Sequence, residues 1–245
     1  MKQPLIKGVD LFCGAGGLTH GLNRAGIEVS LGVDLDKACE YPFSANNKAE
    51  FRCKSVTEVT GCELRDAWKG ADLTLLAGCA PCQPFSTYSQ SWASPEDERW
   101  DLLSHFARLI REAQPDLVTM ENVPKLGKIE VFGLFLSTLK KYGYQVTYRV
   151  LRCVDYGVPQ SRQRLVLLAS RLGDIEFIKP STKPAQYKTV RSAIATLPPL
   201  AAGGVYTLDP LHQCSELSEL NMKRMRASKP GGSWRDWPSA LVADC

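Results

Sequence analysis

Short apolar runs recur along the first 170 residues, and stretches with helical spacing separate most of them. Leu5–Phe12, Glu28–Val33, Leu73–Ala77, Leu117–Glu121, Gln145–Leu151 and Arg164–Ala169 read as strands. Their length and their content of Val, Leu and Ile suit strands buried on both faces. Leu18–Ala25, Lys37–Asn46, Leu102–Ala113 and Phe132–Lys140 carry apolar residues at helical spacing. This alternation predicts an α/β domain over residues 1–178, with a mostly parallel twisted sheet and helices on both faces. The periodicity stops near residue 179. Lys179-Pro180-Ser181-Thr182-Lys183-Pro184 reads as a linker, and Leu197-Pro198-Pro199-Leu200 and Ala201-Ala202-Gly203-Gly204 continue it. Asn221–Ala227 reads as a short basic helix. Residues 179–245 are expected to hold the linker and the beginning of a second lobe.

Composition narrows the class. A chain of 245 residues is long enough for one full α/β core. Nine cysteines, odd in number and irregularly spaced, fit free thiols in a reducing compartment better than a disulfide framework. No apolar run approaches the roughly 18 residues of a membrane span, and no leader-like segment opens the chain. A cytoplasmic protein is the expectation. The net charge of +4 is small, but it is unevenly placed. Residues 1–148 carry 16 Lys and Arg against 18 Asp and Glu, whereas residues 149–245 carry 14 against 8. A basic second part suits a phosphate-contacting surface and equally a solvated basic face.

The candidate chemistry sits where predicted strands end. Cys79-Ala80-Pro81-Cys82-Gln83-Pro84-Phe85-Ser86 follows the third strand and presents Cys82 as a nucleophile on a proline-stiffened loop. Cys79-x-x-Cys82 is also the spacing of a dithiol or half a zinc site, but no second ligand pair stands out. The first strand runs into Asp10-Leu11-Phe12-Cys13-Gly14-Ala15-Gly16-Gly17, a loop able to turn sharply and admit a ligand at a helix N-terminus. Asp34, at the end of strand two and about 20 residues on, is placed to accept from ribose hydroxyls. Asp36 suits an N-cap. A nicotinamide dinucleotide or S-adenosylmethionine would satisfy these features equally. Glu121, followed by Asn122, ends a buried strand, where desolvation favours a protonated carboxyl; a plain turn cap is the alternative. Arg162 and Arg164, two apart on an extended segment, point the same way and would orient a carbonyl or phosphate, or lie on a surface edge.

Taken in order, these segments resemble the cytosine-5 DNA methyltransferase family. The matching pieces are Asp10–Gly17, Pro81–Ser86, Glu121-Asn122-Val123 and Gln160-x-Arg162-x-Arg164, and the close match covers about residues 4–170. The resemblance implies a Rossmann-like S-adenosylmethionine-dependent fold acting on double-stranded DNA. It assigns Cys82 as the thiolate that adds to cytosine C6, and Glu121 as donor at N3 and the exocyclic amine. Arg164 would hold the O2 side with help from Arg162, while Asn122 supports Glu121. It assigns Phe12, Gly14, Gly16, Gly17, Asp34 and Pro81 to the cofactor, and no metal. A flipped-out base and a bacterial restriction-modification setting follow as expectations.

Several positions depart from the family pattern. Asp34 stands where glutamate is usual, and Lys54-Ser55-Val56-Thr57-Glu58 lacks the usual adenine-contacting acid at the corresponding place. Cys79-Ala80 replaces commoner small or proline residues, and Cys79 is expected to be dispensable. The family's last two motifs are absent, so a second polypeptide that completes a split enzyme is expected, or a truncated product. Rival expectations are a tRNA cytosine-5 methyltransferase, a non-catalytic DNA- or cofactor-binding subunit, and a nicotinamide dehydrogenase.

Overall fold

The computed structural model describes residues 3–81 and 102–242. Cys82 and the Gln83-Pro84-Phe85-Ser86 segment lie outside the described residues. Contacts divide the chain into two compact units, Met1–Thr189 and Val190–Cys245. The stretch expected to be a linker therefore begins inside the first unit.

Seven strands build the first unit's sheet: β1 (Ile6–Leu11), β2 (Glu28–Asp34), β3 (Glu50–Cys53), β4 (Leu73–Gly78), β5 (Leu117–Asn122), β6 (Gln145–Arg152) and β7 (Gln163–Ser170). Their order is β3-β2-β1-β4-β5-β7-β6. The first four pairings across this order are parallel, while β7 runs antiparallel to both β5 and β6. The order reverses between β1 and β4. That reversal opens a crevice at the carboxyl ends of the strands, where open α/β sheets bind ligands.

The helices are α1 (Gly17–Arg24), α2 (Glu40–Asn46), α3 (Gly61–Ala67), α4 (Leu102–Ala113) and α5 (Glu130–Lys141). Strand alternation sends β1 side chains to opposite faces. Val9 and Leu11 join a large cluster containing Leu76, Phe106, Leu109, Ile110, Phe132 and Phe135, which α3, α4 and α5 supply or cover. On the other face Asp10 meets Thr19 of α1, and Val29 and Phe43 form a smaller cluster with Cys13. The expected mostly parallel sheet with helices on both faces is the fold observed.

Three details differ from expectation. β1 stops at Leu11, because Phe12 takes a positive φ of 59° and turns the chain out of the sheet. The helix expected over Lys37–Asn46 is a 3-10 turn, Lys37–Cys39, followed by α2. Asp36 caps that turn, its Oδ1 accepting from Ala38 N at 2.9 Å. Finally, β3 and α3 were not anticipated.

In the second unit, α6 (Val190–Ile194) precedes a two-stranded antiparallel ladder, β8 (Val205–Tyr206) with β9 (Asp209–Gln213). α7 (Glu219–Ala227) follows, capped by Ser218 Oγ accepting from Asn221 N, and contains the expected basic helix. No described residue after Ser170 is buried. No described helix is long and apolar enough to cross a membrane.

Candidate active site

The sequence-selected residues that the structure describes meet along the carboxyl edge of β1, β2, β4 and β5. Because β7 is antiparallel, its start lies at the same edge, and Arg164 with it.

The loop after β1 is built around two glycines. Gly14 and Gly16 have φ of 52° and 89°, which glycine adopts freely. At Gly16 a Cβ would meet Asn47 Nδ2 at 2.4 Å and Phe43 at 2.9 Å, so no larger residue fits. At Gly14 and Gly17 a Cβ would meet nothing within 4 Å, which leaves space over the loop. Gly17 opens α1, and Phe12 is half-buried before the turn. Asp34 Oδ2 accepts from Gly14 N at 2.8 Å, and Oδ1 accepts from Asp36 N at 2.9 Å. Both oxygens therefore hold backbone, and Asp34 ties the glycine loop to the end of β2. In the stretch without the usual acid, the Lys54 ammonium lies on Glu63 of α3 at 2.9 Å.

Sequence reasoning overlooked one residue here. Asp10 lies in β1, 1% exposed, with Thr19 Oγ1 donating to its Oδ2 at 2.7 Å. Its Oδ1 is buried without a partner among the described residues. Burial pushes the carboxyl up to about 6, against the pull of the Thr19 hydrogen bonds. An aspartate inside the apolar run Gly8-Val9-Asp10-Leu11 was the available signal.

Across the crevice, Glu121 pairs with Arg164, Oε1 to Nε, at 2.5 Å. Burial raises the Glu121 carboxyl above its ordinary value, while the Cys79 thiol and the Arg162 charge pull it back. Arg162 is exposed, and its carbonyl accepts from Cys153 N at 2.9 Å. Asn122 is buried; its Nδ2 donates to Ala80 O at 2.9 Å and its Oδ1 accepts from Val123 N at 2.8 Å. The end of β5 thus clamps the segment that leads through Pro81 to Cys82. Strand register sets Cys79 beside Glu121, a neighbourhood that spacing did not disclose. Among the described residues seven cysteines are free thiols.

A mostly parallel sheet with a glycine loop at its switch point, and a carboxylate–guanidinium pair at the same edge, is a Rossmann-like arrangement suited to a nucleotide-type cofactor. The crystal structure of an Escherichia coli prophage-encoded protein shares this fold, with a TM-score of 0.68 at 24% identity over 82% of this chain and 57% of that one. The profile of the family described as C-5 cytosine-specific DNA methylase matches residues 6–236, and the chain belongs to that family. It is 45% identical to Type II methylase M.HgiDII of Herpetosiphon aurantiacus, over 97% of this chain and 67% of that protein. It is 38% identical to Type II methyltransferase M.XorII of Xanthomonas oryzae pv. oryzae, over 81% of this chain and 47% of that protein. Nothing in these matches supports the expected second polypeptide.

Proposed function

We propose that this chain carries the catalytic domain of a Type II DNA cytosine-5 methyltransferase. One observation bears most of the weight. Asn122 holds the carbonyl of Ala80, two residues before Cys82, while neighbouring Glu121 is paired with Arg164. The start of the segment that leads to Cys82 and the candidate acid thus share one strand end, which supports the reading.

The residues fit S-adenosylmethionine. There is open space over Gly14 and Gly17, an unmatched buried acceptor on Asp10, and a half-buried Phe12 at the same edge. Phe12, Gly14, Gly16, Gly17, Asp34 and Pro81 would hold it. When bound, it supplies the methyl group. Asp34 contributes chiefly by fixing the Gly14 turn, since both of its oxygens already accept from backbone.

Cytosine C5 is a weak nucleophile until C6 carries a substituent. Cys82 thiolate adds to C6, and Glu121 hydrogen-bonds or protonates N3, where the displaced electron pair gathers. Arg164 and Arg162 hold Glu121 and the O2 side of the base. After C5 has gained its methyl group, loss of the C5 proton re-forms the double bond and expels the thiolate. The base must leave the duplex for this to happen. Residues 179–245 supply a linker and part of a target-recognition region whose basic excess suits phosphates.

Duplex DNA containing 5-fluorocytosine tests the reading. Fluorine cannot depart as the C5 proton does, so the chain with S-adenosylmethionine should remain bonded to DNA. The adduct should vanish in Cys82→Ala while cofactor binding persists. A methylation reaction that survives Cys82→Ala would reject the mechanism, and methyl acceptance by tRNA in preference to duplex DNA would reject the substrate.

A further inference from the structure

Cys79 follows Gly78, which pairs in parallel register with Met120 at the end of β4, and Glu121 follows Met120. The register therefore sets Cys79 beside Glu121. Cys79 N donates to Leu11 O at 3.3 Å, which anchors the residue between β1 and β4. The Cys79 thiol and the Glu121 carboxyl lie close enough to shift one another's ionisation. Arg164 Nε meets the same carboxylate at 2.5 Å. Buried Gly78 and Ala80 flank Cys79, so the path of this segment does not itself demand a larger side chain.

We infer that Cys79 is a positioning residue whose S–H and the Arg164 guanidinium together hold the Glu121 carboxyl from two sides. The inference rests on the reading that Glu121 serves the target base. Burial, with Glu121 and Asp10 nearby, raises the thiol well above its ordinary value. Cys79 consequently stays protonated and acts as a donor, which separates it from the thiolate role proposed for Cys82. The charged and titratable groups acting on Glu121 are Arg164 from β7, Arg162 from the segment before it, and Cys79 from the end of β4. Asp10 of β1 acts on Cys79.

A hydrogen bond to the ionised form lowers a carboxyl's pKa, so losing the thiol must raise it further. The test compares the full chain with Cys79→Ala and Cys79→Ser. Glutamate side chains carry a 13C label, and Glu121→Gln assigns the Glu121 carboxyl signal. In Cys79→Ala its midpoint should rise by about one pH unit, a roughly tenfold change in ionisation constant. Cys79→Ser keeps a donor and should stay near the parent. Glu121 works protonated, so the alkaline limb of 5-fluorocytosine trapping should move to higher pH in the alanine variant only. An unmoved Glu121 midpoint in Cys79→Ala, or serine behaving as alanine does, overturns the inference. A parent chain that never traps cytosine but still shows the midpoint shift overturns the catalytic reading of Glu121 and supports the contact.

Discussion

At the scale of the residue, the site depends on a few backbone and burial constraints. Gly16→Ala introduces both a left-handed φ and a clash with Asn47 and Phe43. Gly14→Ala introduces the left-handed φ alone, with no close atom. The first should cost several kcal/mol and the second about 1 kcal/mol in urea unfolding; equal costs would contradict the steric account. Asp10 makes a separate prediction through pH. Its folded carboxyl lies at about 6 against an ordinary 3.8. The raised value means that its contribution to stability is fully present below about 3.8 and is lost as pH rises through 6. Asp10→Asn has no such loss. Its stability relative to the parent should therefore climb between pH 4 and 6 by up to about 3 kcal/mol, then level off. A constant difference across that window would show that Asp10 is not buried as an acid. The glycine loop was legible in the sequence because the residue type itself states the need, whereas Asp34, read as a ribose acceptor, holds the backbone of Gly14 and Asp36, and the Glu121–Arg164 pair emerges only from the fold. Cys79 was not legible, because its role comes from a neighbour 42 positions away that only strand register supplies.

At the scale of the element, long apolar runs were readable and short amphipathic ones were not. β4, Leu73-Thr74-Leu75-Leu76-Ala77-Gly78, is the most continuously apolar strand, while β1 and β5 carry buried Val9, Leu11, Val118 and Met120 among polar positions. β3 has four residues, Glu50-Phe51-Arg52-Cys53, at the sheet's edge, where a polar strand is tolerated. α3 left a trace that was readable: Thr60-x-x-Glu63 is a capping box, and both of its hydrogen bonds form. Glu63 also takes Lys54 at 2.9 Å and Arg52 at 3.4 Å, so the cap links α3 to the end of β3. Gly61 N and Arg65 reach Glu112 of α4. Thr60→Ala should lower stability by about 1 kcal/mol in denaturant titration. Spread beyond the first turn, the same change should leave α4 protected, because α4 is held by the main core through Phe106, Leu109 and Ile110. Loss of α4 protection together with α3 would show that the capped turn organises more of the fold than its hydrogen bonds indicate.

At the scale of the whole molecule, burial and charge divide in opposite directions. All described buried residues lie at or before Ser170, whereas the basic excess lies in residues 149–245. The sequence signalled this through lost periodicity and clustered Pro and Gly, although the short β8–β9 ladder gave no sign, since the two residues of β8 carry no period and the five of β9, Asp209-Pro210-Leu211-His212-Gln213, do not alternate. A segment without buried apolar contacts opens at little cost. Amides of β8, β9 and α7 should therefore exchange about a thousandfold faster than those of β1, β4 and β5 in the full chain. α7 carries Lys223, Arg224 and Arg226, and Arg224 also lies over the Trp237 ring at 5.7 Å while donating to Leu241 O at 2.8 Å. Such a segment gains order when phosphates neutralise its charge, at the cost of its own freedom. On adding duplex DNA, exchange should slow in α7 and around Trp234–Asp236, while β3 and α2 stay unchanged. Raising the salt should remove this protection, because released counterions drive it. Protection that survives high salt would assign the contact to apolar or base-edge interactions. Protection confined to the first unit would show that the basic surface plays no part in holding DNA.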